Sequence, residues 1–351
     1  MIDRRTALLG LAAGAALPAF LPASGRAAPR RRAARPLAKP RRLREGDVIG
    51  LIAPAGYVES QERLDRMLAT IASLGLVPKL APNLLHREGY FAGPDRERAA
   101  SVDAMFADPE VRAIIAVAGG WGCQRILPYL DFALIDAHPK LLIGSSDITA
   151  LHLALAARTH CPSIHGPNAA HSWGEGPRAS FRSLAFDAAA PTIANPPAPT
   201  DPLVPNPWPI RTLRPGKARG RLLGGNLSVL SSLVGTRWLP SFTGAILFLE
   251  DTNEAEYRID RMLTQLAQAG ILGRVAGVVF GQCTNCRNPV PGYTGLTIDQ
   301  VIEQHLAPLG VPAFQGAQIG HIAAQVSLPV GAQVEIDAGA GSIRVLAPIV
   351  G

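Results

Sequence analysis

The sequence predicts an α/β fold in two parts, and two observations support that prediction. In the first half, short apolar runs alternate with segments whose apolar residues recur at helical spacing. Such alternation implies crossover connections, and therefore a parallel sheet with helices on both faces, of the flavodoxin or Rossmann type. A proline-rich stretch then separates this half from a second one, in which strands and helices are mixed.

The elements of the first half, residues 45–187, are placed by their apolar residues. A buried strand at 48–54 is followed by a helix that stops at Gly75 and bears Leu64, Met67, Leu68, Ile71 and Leu74. The next elements are a helix at 96–106, a strand at 112–117, a glycine-rich turn, a helix ending at Leu130, a strand at 141–143 and a helix from Asp147. Active sites of parallel sheets lie at the carboxyl ends of strands, so the turns after Val117 and Ile143 are candidate sites.

A linker is predicted at residues 188–215. This stretch carries the prolines Pro191, Pro196, Pro197, Pro199, Pro202, Pro205, Pro207 and Pro209. Proline at such density excludes a helix and a central strand, and is typical of a connection between domains.

The second half, residues 216–351, mixes strands with helix. Strands are predicted at 245–249 and 275–280, and the helix between them bears Ile259, Met262, Leu263 and Leu266. Near the end of the chain, an alternating run at 333–336 and a second run at 343–346 flank a glycine turn. This pattern predicts a β-hairpin.

The positive charge of the chain is confined to its N-terminal tail. The formal net charge is +7, but residues 1–44 hold eleven of the 34 Lys and Arg and only one of the 27 Asp and Glu. The remainder of the chain is therefore slightly acidic, and its charge does not indicate a nucleic-acid partner.

The tail begins with features of an export signal. Arg4 and Arg5 precede an apolar stretch at 7–21, and small residues follow up to Ala28. Paired arginines in this position resemble a twin-arginine signal, which predicts cleavage near residue 28 and a periplasmic or otherwise exported protein. The alternative is a membrane anchor, but the apolar stretch is short for a span. Residues 29–44 are a basic leader rich in Arg and Pro.

The four cysteines do not predict a metal site. Cys283 and Cys286 form a Cys-x-x-Cys motif after a strand, but a four-ligand zinc site needs two more ligands, and no second close Cys or His pair is present. A local disulfide and free thiols both remain open for this pair.

The turn after the strand at 141–143 carries the sequence Gly-Ser-Ser-Asp, and Ser145 and Ser146 lie where a helix begins. A serine at such a turn presents its hydroxyl beside free backbone N–H groups, which is where a serine hydrolase places its nucleophile. The same position is also typical of a helix N-cap. The segment alone leaves both interpretations open.

This turn is one of five sequence segments that occur in a characteristic order and spacing. They are Gly50–Gly56; Phe91–Gly93 with Asp108–Arg112 and Gly119–Gly122; Gly144–Ala150 with His165–Pro167; Gly224–Leu227 with Leu249–Asp251 and Tyr257–Arg261; and Gly320–His321. In this order and spacing the chain resembles the LD-carboxypeptidase family, serine peptidases that include murein tetrapeptide carboxypeptidases and microcin C immunity peptidases. The resemblance covers roughly residues 46–347. It implies no cofactor, and a β-rich, partly barrel-like second domain.

The resemblance assigns a catalytic triad to Ser146, Glu250 and His321. A serine hydroxyl needs a base, and an imidazole base needs an acceptor that holds its tautomer. For His321 alone, a surface histidine is the alternative. For Glu250, it is an ion pair with Arg258 or Arg261.

The chemistry of acyl transfer indicates further site residues, because the developing oxyanion needs hydrogen-bond donors. The N–H groups of Asp147 and Gly120 are the predicted oxyanion donors, because one follows the nucleophile and the other lies in a turn where missing side chains allow close approach. Asn226 and Arg258 are predicted to bind a substrate carboxylate. Many family members carry an arginine before the paired glycines, where this chain has Ala118.

The implied function is hydrolysis of the bond between the L-centre of lysine or diaminopimelate and a terminal D-alanine in murein peptides. Two alternatives stay open, namely an immunity-type amidase acting on aminoacyl nucleotides and a non-catalytic binder of wall fragments. The export signal argues against the first, since its substrate acts inside the cell. No stable membrane anchor is expected, and homodimerisation is left open.

Overall fold

The computed structural model describes residues 36–197, 203, 206, 208–290 and 292–351. The predicted export signal, the leader up to residue 35 and several prolines of the predicted linker lie outside these residues. Pro36–Gly351 forms one compact unit. Among the described residues, no helix is long and apolar enough to cross a membrane.

The described residues form two sheets with helices. The strands are β1 Val48–Ile52, β2 Val77–Leu80, β3 Val111–Ala116, β4 Leu141–Gly144, β5 Ser163–His165, β6 Thr192–Ala194, β7 Arg211–Arg214, β8 Lys217–Asn226, β9 Ile246–Thr252, β10 Gly277–Thr284, β11 Ala313–Gln315, β12 Leu328–Val330, β13 Gln333–Asp337 and β14 Ser342–Val345. The helices are α1 Gln61–Ser73, α2 Asp95–Ala107, α3 Cys123–Ile126, α4 Phe132–Ala137, α5 Thr149–Arg158, α6 Glu175–Ala185, α7 Leu227–Ser232, α8 Glu256–Gln268 and α9 Ile298–Leu306.

The first sheet has the order β12-β5-β4-β3-β1-β2. Its five strands β1 to β5 are parallel, and β12 pairs with β5 in the antiparallel sense. The order β2-β1-β3-β4-β5 is that of flavodoxin-like folds, so the predicted parallel sheet is confirmed. Ligands of such sheets bind beyond the carboxyl ends of the strands, which here include the ends of β1, β3 and β4.

Helix α1 shows how the sequence builds this layer. Its buried residues Leu64, Met67 and Ile71 follow helical spacing, and the Ser60 side chain accepts a hydrogen bond from the Arg63 N–H at 3.2 Å. The helix ends before Gly75, whose φ of +80° few residues other than glycine adopt readily.

The second sheet has the order β6-β14-β13-β8-β9-β10-β11-β7. Strands β8 to β11 are parallel, and the outer strands are antiparallel. The sheet is mixed and open as far as its described strands show, so the expected barrel-like character does not extend to closure. Strands β6 and β7 lie within the predicted linker and occupy the two edges, where neighbouring prolines are tolerated. The hairpin β13–β14 is confirmed.

Contacts along α5 join the two sheets. The N–H of Asn226, at the end of β8, donates to Thr149 Oγ1 at 3.0 Å, and Gly225 packs directly against the same threonine. Arg221 Nη2 donates to the Ala156 carbonyl at 3.0 Å. The ends of β4 and β8 are therefore held close together.

The structure also settles the state of the cysteines. Cys283 and Cys286 form a disulfide, which is one of the two states left open by the sequence. Cys123 and Cys161 are free thiols, and both are buried.

Candidate active site

Ser146 lies on a sharp turn between β4 and α5. It begins a single 3-10 turn, Ser146–Ile148, and has a φ of +64°. A positive φ is unfavourable for a residue with a Cβ atom, and such strain is typical of serine nucleophiles held on a strand-to-helix elbow. Ser145 occupies the N-cap position, but its side chain makes no capping hydrogen bond. The geometry thus favours the nucleophile over the cap.

Glu250 and His321 form a buried hydrogen-bonded pair. Glu250 lies in β9 and is fully buried, whereas the His321 side chain is 19% exposed. The distance from His321 Nδ1 to Glu250 Oε2 is 2.8 Å. A carboxylate at Nδ1 requires the proton on that nitrogen, which leaves Nε2 free to act as a base.

The pair also sets the pKa of His321. Burial lowers this pKa, but the hydrogen bond and the charge of Glu250, together with the charge of Asp251, outweigh burial and raise it above the ordinary 6.5. Gly320 precedes the histidine with a φ of +120°, and a Cβ atom there would lie 3.0 Å from Glu250 Cβ. Glycine therefore allows the histidine loop to approach the carboxylate.

Two clefts meet at Ser146. The first has a volume of about 340 Å³ and contains Ser146, His321 and Ala118 in its wall. The second, of about 320 Å³, contains Ser146, Asp147 and Asn226, and Gly120 borders both clefts. Among the described hydrogen bonds, none joins Ser146 Oγ to His321. The two side chains share a cleft wall, and this bond is often loose before substrate binds.

The glycine turn after β3 packs against the elbow. A Cβ atom on Gly119 would lie 2.6 Å from Ser146 Cβ and 3.3 Å from the Asp147 nitrogen, so only glycine fits there. As the second residue of a one-turn helix, Asp147 has an N–H without an intrahelical acceptor. The structure thus brings both predicted oxyanion residues, Gly120 and Asp147, to the cleft that holds Ser146.

The chain is similar to known proteins over both of its halves. Residues 49–166 match the model of the LD-carboxypeptidase N-terminal domain, and residues 219–336 match that of the LD-carboxypeptidase C-terminal domain. A probable murein peptide carboxypeptidase of Bacillus subtilis (strain 168) is 39% identical over 304 residues, which cover 85% of this chain and 91% of that protein. The chain belongs to the LD-carboxypeptidase family. It is a serine-type peptidase, as the sequence motifs predicted.

Solved structures of several proteins are also similar to the chain. A muramoyltetrapeptide carboxypeptidase from Oxalobacter formigenes has a TM-score of 0.72 and 28% identity, and the match covers 86% of this chain and 99% of that one. The structure of MccF in complex with glutamyl sulfamoyl guanosine has a TM-score of 0.79 and 23% identity, with 89% and 99% covered. The second likeness concerns the fold alone.

The two predicted substrate-binding residues differ in position. Asn226 borders the second cleft, where Oδ1 accepts from the Val229 N–H at 3.0 Å and Nδ2 donates to Asp251 Oδ1 at 3.1 Å. One amide hydrogen of Asn226 remains available to a ligand. Arg258 is 57% exposed and lies 3.5 Å from Glu254, so its ion pair is not with Glu250. Its role in binding stays a prediction.

Several cleft residues were missed by sequence reasoning. His171, Tyr57, Tyr90 and Glu59 border the first cleft with Ser146. The pKa of His171 is lowered to about 4 by burial and then by the charges of His321 and Arg63, so this ring is neutral. These residues lie in loops, and no spacing in the sequence distinguishes them from other surface residues.

Potential metal ligands do not cluster in the part of the chain that the structure describes. There, no group of three or more His, Cys, Asp or Glu side chains is placed to hold a metal ion. The carboxylates that border the second cleft are instead engaged with protein groups. Asp251, for example, accepts from the N–H and hydroxyl of Ser228 at 2.9 and 2.8 Å.

Proposed function

We propose that this chain hydrolyses the L,D-peptide bond to the terminal D-alanine of murein tetrapeptides, through an acyl-enzyme on Ser146. The observation that carries the proposal is the 2.8 Å bond between His321 and the buried Glu250, in a cleft whose wall includes the strained Ser146. The names of the Bacillus and Oxalobacter relatives support the substrate.

Each step is assigned to a residue. His321 Nε2 accepts the proton of the Ser146 hydroxyl as the oxygen attacks the carbonyl carbon, and Glu250 stabilises the imidazolium that forms. The N–H groups of Gly120 and Asp147 bind the oxyanion. The tetrahedral intermediate collapses, the C–N bond breaks, and His321 returns the proton to the amine of D-alanine. Water then hydrolyses the acyl-enzyme by the same base, and no cofactor is expected to take part.

D-Alanine release from purified murein tetrapeptide tests this proposal. We expect release by the wild-type protein to be unaffected by a chelator and to be lost in Ser146→Ala. Ser145→Ala is the matched control, because Ser145 is the adjacent serine, its hydroxyl is buried, and it does not line either cleft. Activity that survives in Ser146→Ala, or is lost with the chelator, would contradict the proposal.

An immunity-type amidase is the second candidate, favoured by the likeness to the microcin C7 self-immunity protein MccF of Escherichia coli, which is 27% identical over 84% of this chain. Aminoacyl sulfamoyl adenylates assayed beside murein peptides would separate the two functions by their kcat/KM values. A fluorophosphonate probe addresses the third alternative, because tight peptide binding without labelling of Ser146 would indicate a binder.

We also propose that the protein is exported in a folded state. The support is the Arg4-Arg5 pair before an apolar stretch and small residues. Replacing both residues with lysine should leave precursor in the cytoplasm, whereas unchanged secretion would contradict the twin-arginine pathway. A homodimer is not needed for the site, since its residues come from one chain.

A further inference from the structure

One peptide group of the glycine turn lies between a buried cation and a buried anion. The carbonyl oxygen of Gly122 accepts a hydrogen bond from Arg98 Nη1 at 3.0 Å. The N–H of the same peptide group, on Cys123, donates to Asp147 Oδ2 at 2.7 Å. Arg98 and Cys123 are fully buried, and Asp147 is 2% exposed. Both ends of this peptide are therefore held by charge-assisted hydrogen bonds.

Arg98 joins two further backbone segments at the site. It extends from α2, and it donates to the carbonyl of Gly93 at 3.1 Å and to that of Pro54, just beyond β1. It also pairs with Asp95 and stacks on the Phe91 ring, 4.6 Å from its centroid. A guanidinium without solvent needs such acceptors, since an unpaired buried charge is strongly unfavourable. Arg98 thus links loops from the ends of two neighbouring strands.

The glycine turn requires such support from outside. Gly120 and Gly122 have φ values of +111° and +129°, which are open to glycine but are not enforced by it. The turn must nevertheless hold a fixed position, because Gly119 touches Ser146 and Gly120 borders both clefts. The Asp147 carboxylate comes from the residue after the nucleophile, so it ties the turn directly to the elbow.

We propose that Arg98 and Asp147 are positioning residues that clamp the Gly122–Cys123 peptide, and thereby hold the Gly120 N–H where the oxyanion forms. This role of the Asp147 side chain is separate from that of its N–H group. The inference rests on the proposed function, because an oxyanion forms only if Ser146 attacks a carbonyl. The clamp acts through the turn, and neither charged group touches the reacting atoms.

Two substitutions at Asp147 test the clamp. Asp147→Ala removes the acceptor of the Cys123 N–H, and we expect kcat to fall by about 100-fold, as for a misplacement of roughly 1 Å. KM should stay within about twofold, because the loss concerns the transition state alone. Asp147→Asn keeps an oxygen acceptor without the charge and should recover part of the loss. A role in stability alone would leave the kcat of folded protein unchanged.

Arg98 has a matched control in Arg125. Both arginines pair with Asp95, and both stack on Phe91, with Arg125 2.9 Å from the carboxylate and 4.8 Å from the ring centroid. Arg125 is 48% exposed, and only its backbone N–H, which Arg125→Lys retains, donates to the Gly122 carbonyl, at 3.1 Å. We expect Arg98→Lys to lower kcat at least tenfold, and Arg125→Lys to leave it within about twofold. Equal effects of the two changes would overturn the proposal.

Labelling of Ser146 by a fluorophosphonate separates failure of the clamp from failure of the proposed substrate. The reagent needs the nucleophile and the oxyanion donors but no murein peptide, so the Asp147 variants should be labelled more slowly even if wild-type protein releases no D-alanine. Hydrogen exchange of residues 119–126 gives a readout without chemistry, and it should speed up in Asp147→Ala. Wild-type rates of labelling and of exchange in folded Asp147→Ala would overturn the clamp, and so would wild-type labelling of Arg98→Lys if Asp147→Ala fails to fold.

Discussion

The nucleophile and its two partners are positioned by different means. The geometry of Ser146 is set by a short stretch of chain, in which β4, one 3-10 turn and α5 follow one another closely. Glu250 and His321 are 71 residues apart and meet because β9, β10 and β11 lie side by side. The serine half is thus defined by local strain, and the histidine half by long-range strand pairing.

This difference determines which substitutions should disrupt each half of the site. The elbow depends on close packing between Gly119 and Ser146. The histidine loop depends on its sheet, since the Gln282 N–H of β10 donates to the Ile319 carbonyl at 2.8 Å. Changes near Ser146 should act on chemistry directly, whereas changes in the second sheet should act through the distance between His321 and Glu250.

The largest expected effect tests whether the two halves act as one unit. Ser146→Ala and His321→Ala should each lower kcat by about 10⁶-fold, and the double variant should be no worse, because triad members are strongly non-additive. The measurement is D-alanine release under single-turnover conditions. His305→Ala is the control, since it removes a histidine–carboxylate pair of 2.7 Å outside both clefts. Additive losses would show that the halves contribute separately.

Glu250→Gln should have the next largest effect. The plateau of kcat/KM should fall by up to about 10⁴-fold, because the amide does not stabilise an imidazolium. Glu250 raises the pKa of His321, and activity requires the neutral ring, so the acid limb of wild-type protein should lie above 6.5. Removal of the negative charge makes protonation less favourable, and the limb should therefore move to lower pH.

Asp251→Asn is the companion experiment. Asp251 raises the pKa of His321 only through its charge, and its oxygens are bonded to Asn226, Ser228 and the N–H of Thr252. We expect a smaller shift of the acid limb in the same direction and a much higher plateau than in Glu250→Gln. The reverse ranking would show that Asp251 is the acid partner of His321.

The same contrast explains what the sequence could and could not predict. Strands β1, β3 and β4 are buried apolar runs, and they were predicted within a few residues. Strands β5 and β12 have three residues each, and β12 joins the first sheet from the far end of the chain. No local pattern specifies such a pairing, because it depends on the packing of both sheets.

The residues of the site also differ in how far the sequence alone could predict them. The elbow could be predicted as a candidate from the turn itself, whereas the residue type alone left His321 as a surface histidine. Its assignment came from the family resemblance, and the structure places it 2.8 Å from Glu250. Arg98 escaped sequence reasoning altogether. Arginine is almost never fully buried, so nothing in the sequence of α2 distinguishes Arg98 from the exposed Arg96 of the same helix.

Substitution of Gly320, which precedes His321, should have an intermediate effect on kcat. Gly320→Ala would place a Cβ atom 3.0 Å from Glu250 Cβ and Oε2, at a φ of +120°. Displacement of the His321 loop should lower kcat by about 100-fold. Gly310→Ala is the matched control, because its φ is +76° and no atom lies within 4 Å of the new Cβ.

Gly310→Ala carries only the cost of a left-handed conformation, about 1–2 kcal/mol, whereas Gly320→Ala adds the contact with Glu250 and should lose more thermal stability. Only Gly320→Ala should lose activity. If the two variants had equal kcat values, the approach of the histidine loop to Glu250 would not limit catalysis.

The smallest expected effect comes from the disulfide at the end of β10. Cys283 and Cys286 are three residues apart, so their bond closes a short loop and should stabilise the fold by about 2 kcal/mol. Thermal unfolding with and without reductant should therefore differ by a few degrees. A Cys283→Ser, Cys286→Ser double variant should melt at the lower temperature, and its melting temperature should not depend on reductant. Because Gln282 anchors the histidine loop one residue earlier, kcat should fall less than tenfold, and a larger loss would place the disulfide among the supports of His321.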